Sequence, residues 1–189
     1  MFKIIDNIPE PIVCQVEQWV TSTKIPWYYF DHTLGSDPKG MCEVDQDVYQ
    51  LKDMPRLTHY FYPNSTTAKE DRDYVMPLTT WVRQQLLPGY IVKRVMGNVT
   101  TQLPGSENYL NLPHVDSNKD MVTLLYYVNN SDGKTVFFQD KKIQHEVEPR
   151  RGRGVLFPSN TVHAGQVPFI NKNRYVINII FSREITNDG

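Results

Sequence analysis

Leu112-Pro-His-Val-Asp-Ser-Asn-Lys-Asp-Met-Val-Thr-Leu-Leu-Tyr-Tyr-Val-Asn-Asn130 joins a closely spaced His and Asp to a strand-forming run. His114 and Asp116 are two residues apart, so on an extended chain both leave from the same face. Val122 to Val128 is rich in β-branched, aliphatic and aromatic residues, the composition of a packed strand. A His-x-Asp pair by itself is weak, with about a one-in-ten chance of marking a metal site. Its weight rises because His163 follows in another strand-rich segment and Arg174 comes soon after. Two imidazoles and one carboxylate are the set that holds non-heme Fe(II) while leaving coordination positions open. Taken singly, His163 also reads as a core histidine at a strand start, and Asp116 as a turn carboxylate.

Outward from that stretch the pattern stays β. Tyr90 to Thr101 is β-branched and apolar and ends before Pro104-Gly105. Downstream, Thr135 to Phe138, Val155 to Phe157 and Tyr175 to Phe181 are predicted strands, separated by turn signals at Asp132-Gly133 and Arg151-Gly152. Many short strands with long-range returns predict a sandwich or jelly roll. The N-terminal half differs. After a short apolar run at Phe2 to Ile5, the spacing of Ile12, Val16, Trp19 and Val20 predicts a helix to about Thr21. A second helix is predicted over Glu70 to Leu87, with Pro77 absorbed near its start. Trp27-Tyr-Tyr-Phe30 is β-prone. Residues 31 to 70 show no clear period apart from the aromatic cluster His59-Tyr-Phe-Tyr62, and such long irregular segments often serve as binding loops. The expectation is one mainly β domain with flanking helices (α+β) over residues 1–189. Residues 1–89 are expected to form a helical and irregular support region and residues 90–183 the β core, with the N-terminal helices covering one outer face of the jelly roll.

Five segments, Leu112 to Asn130, Asp132 to Phe138, Val147 to Pro158, Val162 to Val167 and Asn173 to Ser182, together resemble the prolyl-4-hydroxylase-like branch of the 2-oxoglutarate and Fe(II)-dependent oxygenases. The resemblance covers roughly residues 90 to 183 and implies a double-stranded β-helix with a metal at its open mouth. It implies Fe(II) on His114, Asp116 and His163, with 2-oxoglutarate and O2 as co-substrates and ascorbate supporting activity. It places Arg174 on the remote carboxylate of 2-oxoglutarate, where a guanidinium can grip both oxygens. Tyr127 corresponds to a tyrosine whose hydroxyl reaches the co-substrate. Alternation puts Leu125 on the same face as a pocket wall, although plain packing explains Tyr127 as well. Asn178 lies four residues beyond Arg174, hence on the same face of a strand. Many family members carry a hydroxyl residue there, so its contact is left open. Gly133, Lys134 and Thr135 resemble a turn of small residues whose role is structural.

A chain of 189 residues with a formal net charge of −1 carries no global basic field to advertise a nucleic-acid partner. The local run Arg150, Arg151 and Arg153 reads as a solvated turn. Cys14 and Cys42 make no disulfide framework, and no secretory or bilayer-crossing segment is legible, so a cytoplasmic setting is expected. The sequons at Asn64 and Asn98 are then incidental. His32, His59 and His145 have no partner at ligand spacing and read as surface or packing residues.

The function this points to is hydroxylation of an unactivated C–H bond, most naturally in a prolyl or other peptidyl side chain of a peptide or protein, with release of succinate and CO2. Two other readings are an alkylated-nucleic-acid repair oxygenase and a non-catalytic metal-containing β-sandwich binding module. The repair group carries a second Arg six residues after the first, where this chain has Ile180, and Arg183 falls later. Nothing in the sequence specifies an oligomeric state.

Overall fold

A computed structural model describes residues 1–32, 42–62 and 69–184. The Asn64 sequon and parts of the 31–70 segment lie outside these residues. The described strands are β1 (Lys3–Ile5), β2 (Tyr28–Phe30), β3 (Gln50–Lys52), β4 (Arg56–Tyr62), β5 (Tyr90–Thr101), β6 (Tyr109–Asn111), β7 (Met121–Tyr127), β8 (Thr135–Gln139), β9 (Lys142–Val147), β10 (Gly154–Pro158), β11 (His163–Gly165) and β12 (Asn173–Arg183). The helices are α1 (Glu10–Val20) and α2 (Lys69–Gln85). Seven strands form the major sheet in the order β1-β10-β7-β12-β5-β4-β2, and three form a smaller sheet, β11-β8-β9. A parallel pair, β3 with β6, stands apart.

The two faces of the major sheet have different duties. From one face, Val95, Leu124, Tyr126, Ile177, Ile179 and Phe181 join Val13, Val16 and Val20 of α1 and Val75, Leu78 and Val82 of α2 in one buried cluster. Full burial of such aliphatic side chains contributes about 1.5–3 kcal/mol each. On the other face, Leu125, Tyr127, Val155, Phe157 and Val176 pack against Phe137 and Val147 of the small sheet. This mainly β architecture of facing sheets is the expected jelly roll.

The region expected to be helical and irregular supplies more of the sheet than its sequence suggests. β1, β2 and β4 all come from it and take both edges. β4 contains the His59-Tyr-Phe-Tyr62 cluster. It hides its period because Thr58, His59 and Phe61 are all buried, leaving no polar face to alternate with. Pro77 lies inside α2 rather than near its start. The basic run is spent on ion pairs. Arg151 holds Glu17 at 2.6 Å and Glu10 at 2.9 Å, and Arg153 grips both oxygens of Asp6 at 2.7 and 2.9 Å. These pairs clasp β1 and α1 to the turn before β10.

Candidate active site

The two histidines are fixed by backbone before their side chains matter. His114 N–H donates to His163 O at 3.0 Å, and His163 N–H donates to His114 O at 2.9 Å, an isolated antiparallel bridge. Each ring then uses Nδ1 on a local carbonyl, Leu112 O at 3.0 Å for His114 and Thr161 O at 3.1 Å for His163. A carbonyl only accepts, so Nδ1 carries the hydrogen in both rings and the Nε2 lone pairs are free for a metal. Burial, reinforced by the neighbouring His163 and opposed by Asp116, lowers the pKa of His114 to about 4. It is therefore a neutral ligand at ordinary pH.

Asp116 is anchored through its N–H to Ser159 O at 2.9 Å. Its Oδ1 accepts from Asn178 Nδ2 at 2.9 Å and from Arg94 Nη2 at 3.4 Å. Burial works against the carboxylate, but the two histidines, the Asn178 hydrogen bond and Arg94 together hold it below its ordinary value. Its Oδ2 is buried without a hydrogen-bond partner and lies 3.8 Å from His163 Nε2. At that separation the two atoms make no hydrogen bond to each other. One ligand atom from each of His114, Asp116 and His163 lies within 4.8 Å of the others. A divalent cation satisfies this arrangement, and an imidazole-carboxylate set suits Fe(II).

The same cavity, about 70 Å³, is lined by these three residues and by Arg174, Thr135, Leu125 and Asn178. Arg174 is only 5% exposed. It donates from Nε to Gly133 O at 2.7 Å and from Nη2 to Thr135 Oγ1 at 2.6 Å. Burial pulls its guanidinium below the ordinary value, and no carboxylate pairs with it among the described residues. An uncompensated buried cation is costly, and a ligand carboxylate removes the cost. Gly133 is required at this wall, because a Cβ there would meet Gln166 O at 2.6 Å and the Arg174 side chain at 3.1 Å.

Leu125 lines the cavity as its alternation predicts, and Asn178 faces it too, but bonded to Asp116 rather than to Arg174. Tyr127 is fully buried and sits behind the lining. Burial pushes its hydroxyl up, and the proton is donated to Thr135 Oγ1 at 2.8 Å. The hydroxyl of Tyr127, expected to reach a co-substrate, is thus spent on Thr135, which itself lines the cavity. With both acceptor positions of its hydroxyl filled by Tyr127 and Arg174, Thr135 has its own proton free for a ligand. Thr135, read from sequence as part of a structural turn, is a site residue. Arg94, Asn98, Thr100 and Arg56 were also missed. The signal was present in β5, where Arg94, Met96, Asn98 and Thr100 alternate with apolar residues and so share the inner face. Asn98 lines the cavity and accepts from Thr58 Oγ1 at 2.9 Å, so its sequon is structural coincidence. His59 is buried against Pro26 O at 2.9 Å, and His145 stacks on Phe2, both in packing roles.

Residues 102–182, which carry all three candidate metal ligands and Arg174, match the model of the 2OG-Fe(II) oxygenase superfamily. The match spans that C-terminal segment of the chain. The chain also resembles solved structures over nearly its whole length. One is an oxidoreductase of the 2OG-Fe(II) oxygenase family from Burkholderia pseudomallei, at 11% identity and a TM-score of 0.70, covering 97% of this chain and 85% of that one. Another is a prolyl hydroxylase from Trichoplax adhaerens in complex with a hypoxia inducible factor oxygen degradation domain peptide fragment. It shares 17% identity with a TM-score of 0.61, covering 96% and 83%. The non-heme alpha ketoglutarate dependent epimerase SnoN from nogalamycin biosynthesis aligns at 13% identity and a TM-score of 0.63, covering 96% and 77%. At such identities the likeness is one of fold. No curated protein matches the sequence. Both cysteines are free, and no helix among the described residues is long and apolar enough to cross a membrane.

Proposed function

We propose that the oxygenase hydroxylates a prolyl or other peptidyl side chain, consuming O2 and 2-oxoglutarate and releasing succinate and CO2. One oxygen atom enters the new C–OH bond and the other enters succinate. The observation that carries the reading is a single cavity lined by the metal triad and by an unpaired buried arginine. His114, Asp116 and His163 would hold Fe(II), and Arg174 with Thr135 would hold the remote carboxylate of 2-oxoglutarate. Bound there, the metal supplies O2 activation and oxidative decarboxylation of the co-substrate. The chain does the rest. Leu112 and Thr161 fix the two ring tautomers, Asn178 and Arg94 orient the carboxylate, and Leu125 and Val176 supply dry wall on the inner face. The peptide substrate is supported by the fold shared with a prolyl hydroxylase solved with its peptide. A repair oxygenase is disfavoured by Ile180, which is buried, and by Arg183, which lies exposed against Tyr90. A reducing cytoplasmic compartment fits the two free thiols.

The test is succinate formation by Fe(II)-reconstituted protein given 2-oxoglutarate, ascorbate and O2, with and without proline-containing peptides, beside His163→Ala. Metal-dependent succinate from wild type alone supports the oxygenase chemistry, and an added oxygen atom on a peptide supports the substrate class. No turnover and no binding of 2-oxoglutarate to the metal form overturns the reading.

A further inference from the structure

Arg56 is the unexplained cation of the cavity. It lines the same space as the metal triad, on β4, and takes no part in holding either the metal ligands or Arg174. Its Nε is buried without a hydrogen-bond partner, and no carboxylate forms an ion pair with it among the described residues. The charged groups around it are Arg94, Asp116 and Asp53, with the Tyr60 hydroxyl nearby. Asp116 is committed to Asn178, Arg94 and the metal position, and Asp53 faces the His32 ring at 3.3 Å. Once Fe(II) and doubly negative 2-oxoglutarate offset each other, Arg56, Arg94 and Arg174 stand against Asp116 in the cavity and Asp53 beyond its lining, a surplus of one positive charge. A half-buried guanidinium in that surplus calls for an anion from the remaining ligand, the primary substrate.

The strand beside Arg56 shows what carries that anion. In the β2–β4 register Phe30 lies opposite Arg56 and Tyr28 opposite Thr58, so their side chains share the face on which Arg56 lines the cavity. β2 is the edge of the sheet, and Tyr28 and Phe30 are 56% and 38% exposed. Extended proline-containing segments dock on exposed aromatic surfaces of this kind, where their rings lie flat on the aromatic faces. We propose that Arg56, with Phe30 and Tyr28, forms the substrate-binding strip of the oxygenase and selects a peptide bearing an Asp or Glu beside the residue to be oxidised. The aromatic pair receives the peptide body, and the guanidinium takes the carboxylate in two parallel hydrogen bonds. This proposal rests on the peptidyl reading above and names its substrate class.

The test uses three synthetic peptides, identical except that the residues flanking a single central proline are Glu, Gln or Lys, offered to the Fe(II)-loaded protein. Oxygen incorporation is read by mass spectrometry, with succinate followed in parallel. The glutamate peptide is expected to exceed the glutamine peptide by about 10-fold or more in kcat/KM, the effect of one charge-assisted pair, and to exceed the lysine peptide further. Arg56→Gln should flatten that order and Arg56→Glu should reverse it. Wild type that hydroxylates all three equally overturns the inference and leaves the peptidyl reading standing. Wild type that turns over 2-oxoglutarate but modifies none of them removes both. An Arg56→Gln variant with a raised KM for 2-oxoglutarate and an intact peptide preference assigns Arg56 to the co-substrate and overturns the proposal.

Discussion

Arg174 and Arg56 stand on one sheet, on strands separated only by β5, and their surroundings are opposite. Arg174 is enclosed. Its donors are placed by Gly133 and Thr135, Thr135 is placed in turn by Tyr127, and Gly133 leaves no room for a side chain. Arg56 has no such frame, and its neighbours across the register are exposed aromatic residues on a sheet edge. A guanidinium held by fixed partners suits a ligand of one size and shape. One without partners suits a ligand that arrives from outside and brings its own counter-charge. On the proposed function, the difference would separate the part of the cavity built for a constant co-substrate from the part that chooses a variable one.

The comparison fails entirely if the metal does not lie between them. His114→Ala, Asp116→Ala and His163→Ala are each expected to lower Fe-dependent 2-oxoglutarate turnover by more than about 100-fold, with the circular dichroism of the folded protein retained. Turnover surviving in any of them would remove that residue from the ligand set. Next in size, Arg174→Gln should raise the KM for 2-oxoglutarate by roughly 10- to 100-fold, since hydrogen bonds to charged groups contribute about 1.5–3 kcal/mol. An unchanged KM would make the enclosed arginine a structural group and erase the contrast with Arg56. Asn178→Ala should weaken Fe(II) binding by about 10-fold in a metal titration while leaving the KM for 2-oxoglutarate near wild type, because its amide bonds to Asp116. The reverse outcome would tie Asn178 to Arg174.

The smallest effect concerns the frame around Arg174. Asp132 accepts the N–H groups of Phe169, Ile170 and Asn171 at 2.8, 3.0 and 2.8 Å, fixing the loop that leads into β12. Burial raises its carboxyl, but those three backbone bonds outweigh burial and hold it below the usual carboxylate value. The folded state therefore favours the ionised form. Its stabilisation is complete above the unfolded pKa and is lost as the pH falls through the folded one. Asp132→Asn should cost about 1 kcal/mol at neutral pH, and the melting-temperature gap from wild type should close in acid. A gap independent of pH would show that the charge is not what matters.

Much of the frame is legible in sequence because the β7, β10 and β12 strands are covered on both faces and read as apolar runs with branched and aromatic side chains. The triad is legible from its His-x-Asp spacing and the later His163, although His114 makes only an isolated bridge and Asp116 lies in a bend rather than on a strand. Arg174 and Asn178 are legible by strand alternation. Arg56 and Thr135 are not, because what they meet depends on which distant strands pair and in what register. β4 reads as irregular because residues on both of its faces are buried. β9 was missed for the opposite reason, since Lys142, Gln144, His145 and Glu146 are exposed and give it no apolar signal. Tyr127 shows the remaining limit. Alternation gives its face correctly, but only the position of Thr135 decides that the hydroxyl stops one residue short of the cavity.

The bridge between His114 and His163 bears on metal loading. Because carbonyl and amide groups hold both imidazoles at their stations, loading a divalent ion is expected to require no segment to refold, which an unchanged circular dichroism on metal addition would check.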